Sequence, residues 1–141
     1  MKVFVDSSVW FAAALSPSGG LSESLQRLVS QKIPVLVVKQ VIAETVRNLQ
    51  TKGTPTATER FLELYASVQP TVVELNKDQI SQAGAVINEK DAPILAGAKV
   101  GDCQFLVTLD RRHFLEEKVI YFARPTEIGL PRDLLDGIPR V

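Results

Sequence analysis

The sequence predicts an α/β fold, a three-layer α/β/α sandwich around a central, mainly parallel sheet of about five strands. Three observations lead there. Its apolar runs are short and β-branched with little alternation, as in strands covered on both faces. Stretches with apolar residues at helical spacing separate those runs. Turn-rich segments, "SPSGG" at 16–20 and "KGTPT" at 52–56, break the chain between elements. Strands alternating with helices make a parallel sheet with right-handed crossovers.

Taken in order, "KVFV" at 2–5 is the first strand, ending on Asp6, Ser7 and Ser8. A helix carrying Trp10 and Phe11 follows. Leu21, Leu25, Leu28 and Val29 form the stripe of the next helix, before a second strand, "VLVV", at 35–38. Val41, Ile42, Thr45, Val46 and Leu49 mark another helix, and Phe61, Leu62, Leu64 and Tyr65 one more. The third strand is "TVVEL" at 71–75. Ile80, Ala83 and Ile87, then Ile94, Leu95 and Ala98, give two further helical stripes. "QFLVTL" at 104–109 is the fourth strand, and "VIYF" at 119–122 a weaker fifth. "GLPRDLLDGIPRV" at 129–141 carries two prolines and two glycines and reads as an irregular tail. With no repeat, low-complexity segment or linker, a single domain over 1–141 is expected.

Sixteen basic and sixteen acidic residues cancel, so no global field draws in a polyanion. That argues against an extended nucleic-acid coat, which needs many phosphate contacts, but leaves room for a local basic rim. Cys103 is the single cysteine and His113 the single histidine. A disulfide within the chain and a Cys/His structural zinc site are therefore excluded, and a reducing compartment is expected. There is no signal-peptide pattern and no apolar run near the roughly 20 residues that span a bilayer. The expectation is a soluble, cytoplasmic protein without membrane contact.

In an open α/β sheet, ligands sit beyond the carboxyl ends of the strands. Four acids fall there: Asp6 after the first strand, Glu44 one turn into the helix after the second, Asp91 opening a helix, and Asp110 after the fourth strand. Each has a plain structural alternative. Asp6 or Ser7 suits an N-cap worth about 1 kcal/mol. Asp91 suits a cap too, since Pro93 is harmless in a helix's first turn. Glu44 falls on the polar face of its helix, near the positive end of the dipole, and periodicity reads it as solvated. Asp110, before Arg111 and Arg112, suits a charged turn.

As a set, the acids carry a resemblance. "VFVDSSVW", "VIAETVRNL" and "KDAPILAGAKVGDCQFLVTLDRRHF" resemble the PIN domain, the metal-dependent nuclease fold of VapC-type toxins in toxin–antitoxin pairs. The resemblance spans almost the whole chain, although residues 50–88 carry no motif of their own. It implies a PIN-like sandwich with Asp6, Glu44, Asp91 and Asp110 as catalytic, metal-binding acids. It also implies Mg²⁺ or Mn²⁺ as cofactor and Ser7 and Thr108 as supporting hydroxyls. Asp102 matches the family at a position read as a turn.

Elementary electrostatics agrees. Two carboxylates at about 4 Å repel by roughly 4 kcal/mol at an effective dielectric of 20, so a cluster raises its own pKa values unless a cation compensates. Hard, oxygen-seeking Mg²⁺ or Mn²⁺ suits such a site better than zinc. A metal there polarises a phosphoryl oxygen and activates water. The resemblance thus implies an endoribonuclease cutting single-stranded or structured RNA and leaving a 5′-phosphate. A homodimer and a cognate antitoxin are the implied partners.

Lys39, Arg47, Arg111 and Arg112 are candidate phosphate contacts, or ordinary solvated charges. Trp10 and Phe11 fit core or dimer interface better than base stacking. His113 reads as a surface residue and Cys103 as a small buried hydrophobe. Alternatives are a stand-alone PIN nuclease in RNA processing and a non-catalytic RNA- or protein-binding PIN module. A phosphatase with Asp6 as nucleophile is weaker, because Ser8 stands where a second Asp is usual.

Overall fold

The computed structural model describes residues 1–136. Five strands, β1 (Val3–Val5), β2 (Val35–Val37), β3 (Thr71–Val72), β4 (Phe105–Val107) and β5 (Glu127–Gly129), form one parallel sheet in the order β3-β2-β1-β4-β5. Nine helices flank it among the described residues: α1 (Ser7–Leu15), α2 (Gly20–Ser30), α3 (Lys39–Lys52), α4 (Pro55–Val68), α5 (Lys77–Gly84), α6 (Ala92–Val100), α7 (Arg111–Phe114), α8 (Glu117–Ala123) and α9 (Pro131–Asp136). This is the α/β sandwich with a parallel sheet that strand–helix alternation predicts.

The three inner strands are buried at every residue, which explains why β1, β2 and β4 read as continuous apolar runs rather than alternating ones. β3 is an exposed edge of only two residues. Core packing is layered. α1 packs on α2, α3 and α4, whereas α6 packs on α5 and against β1 and β2. Trp10, at 1% exposure, is the keystone of the first group, between α1 and the Phe61 and Tyr65 rings of α4.

The close approach of α6 to the sheet depends on Gly97. A Cβ there would stand 2.5 Å from Val38 Cγ1 and 2.8 Å from the Phe4 ring. Gly97→Ala is therefore expected to destabilise the fold by about 1–3 kcal/mol, the usual cost of overpacking, despite alanine's better helix propensity. A urea titration that finds the variant equal to the parent or more stable would contradict this packing.

Two sequence expectations are corrected. "VIYF" at 119–122 is not a strand but part of α8. Its buried residues, Val119 and Ala123, lie at i, i+4, so one helical face meets the core and β propensity yields to tertiary packing. The fifth strand is instead "EIG" at 127–129, whose one large apolar residue gives no strand signal. It forms because β4 offers a parallel edge to pair with. The stretch from 129 is accordingly not an irregular tail through 136: Gly129 ends β5, and Pro131–Asp136 is helical with Pro131 and Leu134 buried. Residues 137–141 of that expected tail lie outside the described residues.

Candidate functional site

The chain passes from β1 outward to β2 and β3 on one side, then returns to β4 and β5 on the other. Strand order therefore reverses between β1 and β4, and the crevice beyond their carboxyl ends is the natural ligand site of such a sheet. Asp6 stands at the end of β1, and Thr108 and Asp110 just past β4.

Asp6 caps α1, its side chain accepting from Ser7 N at 2.8 Å. Its other oxygen accepts from Ser8 Oγ and from Thr108 Oγ1, both at 2.8 Å. Those two hydroxyls accept in turn from backbone N–H groups, Ser8 Oγ from Leu109 and Thr108 Oγ1 from Asp110. The carboxylate thus laces the end of β1 to the loop after β4. Burial pushes the Asp6 carboxyl above its ordinary value, the bonds from Ser8, Thr108 and Ser7 pull it back, and the charge of Asp91 adds to the rise.

Glu44 departs from its reading as a solvated residue. It is half-buried, with Oε1 2.9 Å from Ser7 Oγ and 3.7 Å from Lys90 Nζ. Ser7 Oγ also lies 3.3 Å from Asp6 Oδ1. A hydroxyl has one proton, and the shorter contact assigns it to Glu44, so the Ser7 hydroxyl holds Glu44 while its backbone N–H bonds Asp6.

Asp91 is buried at the start of α6, yet its side chain makes no capping bond. Asn88 holds it instead: Asn88 Nδ2 donates to Asp91 Oδ2 at 2.7 Å, while Asp91 N donates to Asn88 Oδ1 at 3.0 Å. Burial raises this carboxyl and the Asn88 bond lowers it. The charges of Asp110 and Glu44 add to the rise, and His113 opposes them. Asp110 caps the short α7 through His113 N at 3.1 Å, and its second oxygen lies 2.8 Å from His113 Nδ1.

Asp91, Asp110 and His113 each offer a ligand atom, and these lie within 4.8 Å of one another. Two carboxylates and an imidazole at that spacing could hold a divalent cation. Asp6 and Glu44 stand close enough for their charges to act on Asp91.

His113, Asn88 and Ser8 are the site residues that sequence reasoning missed. A signal existed for the first two. An Asp-x-x-His and an Asn-x-x-Asp spacing place each pair within one turn, where a side chain can orient the acid. Lys39, Arg47, Arg111 and Arg112 are exposed, and among the described residues none pairs with an acid of the site. Trp10 is core. Cys103 is buried with its thiol pushed up to about 11 by burial, which suits an inert hydrophobe. Asp102 adopts a positive φ of 51°, in keeping with a turn.

The family model of the PIN domain matches residues 2–112. No curated protein matches by sequence. Among solved structures, the fold is similar to VapC20 of Mycobacterium tuberculosis, described as a sarcin–ricin loop cleaving toxin. That match has a TM-score of 0.58 at 21% identity, over 79% of this chain and 92% of that one. VapBC2 of Rickettsia felis, solved bound to a DNA fragment from its promoter, matches at TM-score 0.64 and 14% identity, over 91% of this chain and 96% of that one. PAE2754 of Pyrobaculum aerophilum matches at TM-score 0.64 and 16% identity, over 97% of this chain and 96% of that one. At such identities the neighbours speak for the fold alone, but the family match runs from β1 into α7 and takes in all four acids: the chain belongs to the PIN domain family.

Proposed function

We propose that the protein is a divalent-metal-dependent endoribonuclease that cuts single-stranded RNA, acting as the toxin of a toxin–antitoxin pair. One observation carries the reading. Asp91, buried at a helix start, leaves its helix uncapped and is held by Asn88 beside Asp110 and His113. A carboxylate kept only to cap α6 would accept from one of that helix's first N–H groups, and this one does not.

The donor set fits a hard cation, because carboxylates dominate it. The imidazole of His113 tilts the preference from Mg²⁺ toward Mn²⁺. Asp91, Asp110 and His113 would hold the ion, with Asp6 and Glu44 supplying the surrounding negative field. When bound, the ion supplies Lewis-acid polarisation of a phosphoryl oxygen and a lowered pKa for water. Asn88 orients Asp91 through the hydrogen bond it makes to it. Thr108 and Ser8 fix Asp6 relative to the loop after β4, so that the acids on β1 and β4 keep one spacing. Ser7 holds Glu44 turned inward, where it can orient an attacking water.

The toxin role draws on the likeness in fold to the VapC proteins. A cognate antitoxin, a homodimer and a cytoplasmic location belong to the same proposal. Incubation of a fluorogenic single-stranded RNA with the protein in Mn²⁺, with and without EDTA, tests the reading. Cleavage that EDTA abolishes and that leaves 5′-phosphate ends is expected. Cleavage indifferent to EDTA, or none on any RNA, would overturn it.

A further inference from the structure

We infer that single-stranded RNA leaves the acid site along a track over α8, in which Lys118 and Arg124 meet phosphates and a base stacks on Tyr121. This rests on the nuclease reading and adds a substrate path to it.

The track starts beside the site, at two residues bonded to its acids. A cleft of about 270 Å³ runs beside residues 84–88 and reaches His113 and Lys118. Two of its lining residues, Asn88 and His113, are those that hold Asp91 and Asp110. Val86 and Lys118 also line a second, larger groove of about 840 Å³, so the two depressions adjoin. The outer groove carries Lys99, Lys118 and Arg124 against the single carboxylate of Glu117. Glu116, which lines the inner cleft 3.7 Å from Lys118, offsets a second of them, leaving a local excess of one positive charge along the track on a chain of zero net charge.

Individual residues suit distinct parts of a nucleotide. Tyr121 is 73% exposed, far more than a ring of its size requires on a helix packed against the core. The Arg124 guanidinium lies over it, 5.5 Å from the ring centroid. A base could stack on the open ring while Arg124 supplies both cation–π support and a phosphate contact. Lys118 faces Glu116 at 3.7 Å, but both side chains are at least half exposed, and such a pair is weak enough to yield to a phosphate. Lys99 is committed elsewhere. Its ammonium donates to Phe122 O and sits 4.4 Å from the Phe122 ring, which ties α8 to α6. It adds charge and rigidity to the groove rather than a free donor.

An acidic peptide could meet the same charges. The exposed ring and the direct lead from the acid site favour RNA, because a peptide needs neither a stacking platform nor access to the site.

The test has two arms, with Tyr121→Ala, Tyr121→Phe, Lys118→Gln and Arg124→Gln beside the parent. In the first, anisotropy of a labelled single-stranded RNA 12-mer is followed in EDTA at several salt concentrations. Tyr121→Ala should weaken binding roughly 10-fold, and Tyr121→Phe, which keeps the ring, should restore it. Lys118→Gln and Arg124→Gln should each lower the slope of log K against log salt by about 0.7. In the second arm, cleavage in Mn²⁺ is compared between short and long RNAs. The variants should raise KM for the long substrate, keep its kcat, and cut the shortest cleavable one as the parent does. If the parent cuts and all variants bind and cut identically, the track is wrong and the nuclease stands. Variants that keep RNA binding but lose an acidic peptide would equally overturn it. A parent that neither binds nor cuts RNA removes the nuclease reading, and the track with it.

Discussion

Asp91→Asn is expected to lower RNA cleavage by more than about 100-fold without loss of fold, since losing a group that merely orients a metal ligand already costs 10–100-fold. The substitution is cleaner here than at Asp6. The Asp91 side chain takes one hydrogen bond, from Asn88, and an asparagine can accept it through its oxygen while turning its NH₂ to the cluster. Asp6 accepts from a backbone N–H on one oxygen and from two hydroxyls on the other. An amide NH₂ in either place would face a donor, so loss of activity in Asp6→Asn would mix misfolding with chemistry.

The same variant has a stability signature. Burial, together with the negative charges of Asp110 and Glu44, holds the folded Asp91 carboxyl above its ordinary value of 3.8. Between the unfolded and the folded pKa, the folded chain binds more protons than the unfolded one. Its stability without metal therefore falls as pH rises through that window. The favourable contribution is complete below the unfolded value and lost above the folded one. In EDTA, Asp91→Asn should match the parent well below pH 3.8 and exceed it at neutral pH, where the parent carries the uncompensated charge. Mn²⁺ should reverse the order, raising the Tm of the parent by the linkage of binding to folding and leaving the variant nearly unmoved. A parent that is more stable than the variant in EDTA at neutral pH would contradict the account of a strained acid cluster.

Trp10→Ala should cost about 3–5 kcal/mol, the range for removing a large buried aromatic. The indole is 1% exposed, donates from Nε1 to Val5 O at 3.2 Å, and meets the Phe61 ring edge-on at 5.9 Å and the Tyr65 ring at 6.0 Å. Truncation removes the pin between α1 and α4 and leaves the last carbonyl of β1 without that donor. Because α1 begins at Ser7, beside Asp6, the loosened helix should also weaken metal binding. Trp10→Phe keeps a ring in the cavity and should cost less. Chemical denaturation of the three proteins gives the comparison. Near-parent stability for Trp10→Ala would place the indole outside the cooperative core.

Much of the fold and part of the site are legible in the sequence alone, and the reason is local. β1, β2 and β4 are covered on both faces, so each shows as an unbroken apolar run. Asp6 and Asp110 follow such strands directly, and chain direction alone assigns them to the carboxyl edge. Glu44 is harder, because helical periodicity registers apolar packing and is blind to a hydroxyl such as that of Ser7 waiting on a neighbouring element. β5 leaves no trace in "EIG", since its stability comes from the β4 edge rather than from its own side chains.

Consecutive residues are thus enough to specify the class of fold, the buried strands and the edge on which the acids fall, because strand burial and chain polarity are both local properties. Three features were settled by tertiary packing instead: which polar side chains orient those acids, that 119–122 is helical, and that a basic, aromatic groove adjoins the site. Each depends on groups far apart in the chain, or on which face of a helix meets the core.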